Sequence, residues 1–168
     1  MNIRESGQLQ GIMEMLKEMA KFETKIAELY ALCAATWKED SPFWLGIWRD
    51  EIRHARHIEQ IMDIVKKEPQ TFEAGRQFNP ATIAAVNREI EDKITMLQNG
   101  EITEDQVLFA AQSLEQGYLE LDFADIVVIG NAEFKVLMHE IFTDTQQHKD
   151  KIIQEIINRA QSKGYIKE

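Results

Sequence analysis

Apolar residues recur in alternating steps of three and four along every long segment of this chain, a spacing that confines it to amphipathic helices packed on one another. The first helix is expected from about Gln8 to Glu39, with Ile12, Leu16, Met19, Ile26, Tyr30, Cys33 and Trp37 on one stripe. Ser41 and Pro42 read as N-cap and first helical residue of a second helix that reaches about Lys67 and carries Trp44, Ile47, Ile58, Ile61 and Val65. Residues 68–80 hold two of the three prolines and read as an irregular connection. A further helix from about Ala81 to Gln98 stops at Asn99-Gly100, and Thr103 to Gln106 is a capping box that opens the next. That helix carries Leu108, Ala111, Tyr118 and Ile129 and should end near Gly130-Asn131. The last runs from about Asn131 to Ser162, with Phe134, Met138, Ile141 and Ile152 inward and Gly164 beyond its end. The expectation is one all-α domain over residues 1–168, a four-helix bundle made of two short-looped hairpins joined by a long crossover that contains an additional helix.

Composition agrees, since only 3 Pro and 8 Gly interrupt 168 residues and strands would need more turns. A chain of this length buries roughly 70% of its unfolded surface as a single domain. The net charge of −10 repels nucleic acid and anionic membranes, so neither is an expected partner. No apolar run approaches a membrane span, and MNIRESGQLQ is unlike a signal peptide. With a single cysteine, Cys33, there is no internal disulfide, and a cytoplasmic location is the natural expectation.

Each stripe has a polar gap near its middle. Counting threes and fours through the first helix places Glu23 in the apolar seam, and the same count places Glu51 and His54 there in the second. In the later pair it places Glu115, Asp122 and Asp125, then Thr145 and His148. Buried carboxylates at one level must be neutralised by protons, partners or a cation. Carboxylates with two imidazoles suit a first-row transition metal, and Glu51 with His54 can reach one point from a single helix face. A lone Glu-x-x-His is a weak signal; matched by seam carboxylates on other helices it becomes much stronger.

The halves of the chain echo each other. A shift of 92 residues carries Leu16, Glu23 and Leu29 onto Leu108, Glu115 and Leu121. A shift of 94 carries Ile47, Glu51, His54 and Ile58 onto Ile141, Thr145, His148 and Ile152.

This layout resembles the rubrerythrin and ferritin-like di-iron carboxylate family, in which two helices each give a Glu and two others each give Glu-x-x-His. Glu23 with Tyr30 in FETKIAELY, Glu51 with His54 in DEIRHARHI, and Glu115 in SLEQGYLEL are similar to its first three motifs. The fourth reads Thr145-Gln-Gln-His148, so a carboxylate that would bridge two metals is a threonine, and Asp122 stands where the family has Tyr. The resemblance implies a ferritin-like bundle holding two iron ions, or one, with manganese or zinc as other occupants, on Glu23, Glu51, His54, Glu115 and His148. Glu51 would bridge, and Tyr30, Asp122 and Asp144 would stand behind the ligands. It implies peroxide reduction or ferroxidation, a homodimer, and an external electron donor, because no rubredoxin-like cysteine segment is present.

The competing reading is a ferritin-like bundle without catalysis, serving as a binding or assembly module, in which those residues form a buried polar network. Asp144 lies beside Thr145 but off the seam, and Asp122 is poised between ligand, partner of a ligand and acceptor for a histidine N–H. Tyr30 reads as a packed tyrosine bonded near the site and Cys33 as an inert packed thiol. Trp37, Trp44 and Trp48 read as core or interface, and His57 and His139 as solvated surface histidines.

Overall fold

The computed structural model describes residues 3–74, 80–120, 127–129 and 131–165. They form five helices, α1 (Ile3–Thr36), α2 (Ser41–Lys67), α3 (Pro80–Gln98), α4 (Glu104–Glu120) and α5 (Ala132–Ser162), with one 3-10 turn at Pro69–Thr71. Helix α1 packs along α2 and α3, α4 packs along α5, and α2 joins the two pairs by packing on α5. The molecule is therefore a helical bundle, as its periodicity requires.

The width of each buried face follows from the number of its neighbours. Helix α2 buries a narrow stripe of Trp44, Ile47, Glu51, His54, Ile58, Ile61, Ile64 and Val65. Helix α1 adds Met15, Phe22, Ala27, Leu29 and Ala34 to its expected stripe, because it also meets α3. From α3, Ile83, Ile90, Ile94 and Leu97 go into the same core, and Asn87 donates to both Glu18 O and Glu18 Oε2 on α1. Burying each such aliphatic side chain stabilises the fold by roughly 1.5–3 kcal/mol.

The stop and start signals act as their chemistry dictates, with one exception. Gly100 and Gly164 take positive φ (70° and 73°), and the following N–H groups, Glu101 to Met96 O and Tyr165 to Ala160 O, close the helix ends. Thr103 and Gln106 exchange the reciprocal bonds of a capping box. Asn131 Oδ1 accepts from Phe134 N at the start of α5. Ser41, however, is not an N-cap: it is already helical, and Asp40 occupies the cap position. The Asp40 carboxylate makes no cap bond because Arg159 holds it at 2.8 Å. Helix α1 also ends at Thr36, short of Glu39.

The later hairpin departs from expectation at its turn. Residues 127–129 are not helical; Val127–Ile129 forms β2, paired antiparallel with β1 (Phe72–Ala74) in the register Phe72 to Ile129. The 68–80 connection thus contributes a strand. Phe72 packs on Phe134 at 5.5 Å between ring centroids, and Asn131 Nδ2 donates to Glu68 Oε2, tying this ribbon to the ends of α2 and α5.

Candidate metal centre

Glu23, Glu51, His54, Glu115, Thr145 and His148 are all buried, so the seam count through four helices gave the right register. Their donor atoms gather into two groups, Glu23 with Glu51 and His54, and Glu51 with Glu115 and His148, each within 4.8 Å. Glu51 belongs to both. Its Oε2 lies 3.1 Å from His54 Nδ1 and its Oε1 lies 2.7 Å from His148 Nδ1. The two imidazoles stack with centroids 5.7 Å apart.

Behind each imidazole stands an aspartate of the other helix. His54 Nε2 meets Asp144 Oδ2 at 3.2 Å, and His148 Nε2 meets Asp50 Oδ2 at 3.1 Å, so α2 and α5 run antiparallel and exchange equivalent contacts. Arg53 reaches both aspartates, at 2.7 Å to Asp144 and 2.8 Å to Asp50. Burial works to raise the Asp144 carboxyl, but Arg53 and His54 together hold it below its usual value. Each aspartate on Nε2 fixes the orientation of its ring and keeps Nδ1 turned toward Glu51. Asp144 is thus a partner of a histidine and not a substitute for the missing carboxylate. Asp50 and Arg53 were not foreseen, although the shift of 94 that relates His54 to His148 also carries Asp50 onto Asp144.

Tyr30 donates to Glu115 Oε1 at 2.7 Å, as the sequence suggested. Thr145 donates its hydroxyl hydrogen back to Ile141 O at 2.9 Å. Asp122 and Asp125 lie outside the described residues. His139 is exposed, whereas His57, read as solvated, is half-buried with its Nδ1 3.7 Å from Glu140.

Without a cation, protons must balance this cluster. Burial pushes the Glu23 carboxyl up to about 7, with the Glu51 charge adding to the rise, and it carries Glu115 well above the ordinary carboxylate range. Glu51 feels the same burial, but the two imidazoles outweigh it and hold it below its usual value. His54 is opposed by burial too, yet Glu23 and Glu51 raise it to about 11.

The donor set fits a metal on structural grounds. Both Glu23 oxygens, Glu51 Oε1 and His148 Nδ1 are buried with no hydrogen-bond partner among the described residues. Native proteins leave few such atoms. Glu51 Oε1 and His148 Nδ1 approach to 2.7 Å without the geometry of a hydrogen bond. Two lone-pair atoms held that close require a proton or a cation between them.

Compared with models of known protein families, with curated proteins and with solved structures, the chain matches none of them. The geometry must carry the functional argument alone. Among the described residues no helix is long and apolar enough to cross a membrane.

Proposed function

We propose that this protein is a ferritin-like non-haem iron protein that reacts with peroxide or dioxygen at a centre of up to two metal ions. The carrying observation is the sharing of Glu51 by two buried triads, each completed by a carboxylate and an imidazole. In this reading α1, α2, α4 and α5 make the four-helix bundle, and α3 is the additional helix of the crossover. Glu23 and His54 would hold one ion, Glu115 and His148 the other, with Glu51 between them. Manganese or zinc would suit the same donors.

Bound iron would supply cycling between Fe(II) and Fe(III), the electron source for reducing an oxidant. The chain's own groups have separate tasks. Asp144 and Asp50 would accept from the Nε2–H of each imidazole and so present Nδ1 to a bound ion. Glu23 and Glu115 release their protons when a cation arrives, so metal uptake is coupled to proton release. Ile47, Ile58, Ile141 and Ile152, all buried on α2 and α5, keep the surroundings apolar and strengthen every charge interaction inside. Three carboxylates offset three of the four positive charges of two divalent ions. The remaining positive charge would favour binding of the oxidant in an anionic form.

The test is to add Fe(II) anaerobically, then peroxide, and follow iron oxidation and peroxide loss together. Two Fe(II) oxidised per peroxide, with turnover once an external electron donor is added, is the peroxidase outcome. Oxidation by dioxygen without such turnover is the ferroxidase outcome. One observation favours the non-catalytic module, namely the Thr145 hydroxyl committed to Ile141 O. Unretained iron and unaccelerated oxidation would establish that second reading.

A further inference from the structure

Helix α4 differs from the other described helices in what it shows to solvent. Over residues 106–119 its only charged residue is Glu115, which is turned into the centre at 1% exposure. Elsewhere charges stud the outer faces: Lys17 and Lys21 on α1, Arg49 and Arg56 on α2, Arg88 and Glu89 on α3, Asp150 and Lys151 on α5. The outer face of α4 carries Gln106, Phe109, Ser113 and Gly117 instead. Phe109 is 55% exposed, although its neighbour Leu108 is buried in the core. On the side towards α5, Lys149 turns its ammonium to Gln116 Oε1 and Gln146 Oε1, so the flank of this face is amide as well.

Phe109, Ser113 and Gly117 follow one another in steps of four and so make one ridge about 12 Å long. Gly117 lies inside the helix, where glycine is less stable than alanine. Nothing beyond the local helix backbone lies within 4 Å of the point a Cβ would occupy, so packing within the chain does not require a glycine there.

We propose that this face of α4 is where two copies of the chain pair, antiparallel about a twofold axis at Ser113. At a twofold interface one patch meets itself, so a charge near the axis faces its own copy. Two chains that each carry a net charge of −10 repel, and they can meet closely only across a face without charge. A basic partner would be met by exposed carboxylates, which this face lacks. The ridge also complements itself. Ser113 stands midway between Phe109 and Gly117, so antiparallel α4 helices bring Phe109 of each copy over Gly117 of the other, where the absent side chain leaves room for the ring. Ridges in steps of four are those that interdigitate in the commonest crossing of packed helices. The tryptophans of the first hairpin do not compete for this role. Trp44 is fully buried, and Trp37 and Trp48 pack against the core of their own chain.

Sedimentation velocity on the full chain at micromolar concentration tests the pairing. The parent should be a dimer. Ser113→Glu sets two like charges at the axis and should raise the dissociation constant about 100-fold or more. Gln60→Glu adds the same charge to the exposed face of α2 and should leave the dimer intact. Both positions are exposed, and circular dichroism should show unchanged helical content in each variant. Ser113→Cys should form a disulfide-linked dimer under mild oxidation much faster than Gln60→Cys, with Cys33 buried and out of reach. This variant decides the matter even if Ser113→Glu fails to fold. Added salt should tighten the dimer, because it screens the repulsion of two acidic chains and breaks no ion pair. A monomeric parent overturns the proposal, and the face then fits a different protein with an uncharged surface of its own. A dimer that persists in Ser113→Glu, one that salt dissociates, or equal disulfide rates for Ser113→Cys and Gln60→Cys overturn it too, because the interface then lies elsewhere.

Discussion

Replacing Thr145 by Glu should restore a bridging carboxylate, strengthening iron binding while weakening the metal-free fold. Thr145 is buried at 2% exposure one helical turn before His148, so a carboxylate there leaves water as Glu23 does. Glu23 measures what that burial charges for ionisation: its carboxyl rises from 4.5 to about 7. A shift of that size corresponds to about 3 kcal/mol of stability lost at neutral pH when ionisation is forced. For a domain of this length that lowers the melting temperature by roughly 6–12 °C. Saturating Fe(II) should more than reverse the loss, because the added carboxylate gives the second ion a further ligand and balances its charge. The assay is differential scanning fluorimetry with and without Fe(II), under anaerobic conditions, paired with metal analysis after gel filtration. The reasoning fails if Thr145→Glu changes neither the metal-free melting temperature nor the stabilisation by iron, for then residue 145 does not face the centre.

Other consequences can be checked independently. Metal-free protein should lose stability as pH rises from 4.5 towards 7, because the unfolded chain releases the Glu23 proton in that window while the folded chain retains it. Glu115 adds to this trend, and a melting temperature that stays flat or rises over that interval contradicts the assigned protonation. Asp144→Asn and Asp50→Asn should each weaken Zn(II) binding about 10–100-fold in competition with a chromophoric chelator, since each aspartate orients a histidine through its Nε2. Unchanged affinity in both would show that these contacts do not set the ring tautomers. By its resemblance to bundles that commonly pair, and with three tryptophans in its first hairpin, the chain is expected to be a homodimer. Light scattering that returns a monomer at micromolar concentration would refute this.

The centre was legible because helical spacing leaves little freedom once a stripe is set. Ile47 and Ile58 on one face force Glu51 and His54 onto it, and Ile141 with Ile152 do the same for Thr145 and His148. Asp50 and Arg53 were hidden because they sit beside that face, at positions periodicity assigns to solvent. Their roles appear only when α2 and α5 are laid against each other. The β1–β2 ribbon escaped for a related reason. Three residues are too few to show alternation, and the pairing of Phe72 with Ile129 spans the whole crossover. Asp40 shows tertiary contact overriding a local rule, since an aspartate suited to capping α2 binds Arg159 instead.

The central claim is that Glu51 is shared by two metal-binding triads, and iron content after anaerobic Fe(II) loading tests it most directly. The parent and Glu51→Gln should be compared, with helical content confirmed by circular dichroism. The expected result is that the parent retains one to two iron ions per chain through gel filtration, while Glu51→Gln, which keeps the shape but removes the shared charge, retains none. Iron at background level in the parent, or iron retained equally by Glu51→Gln, would contradict the claim.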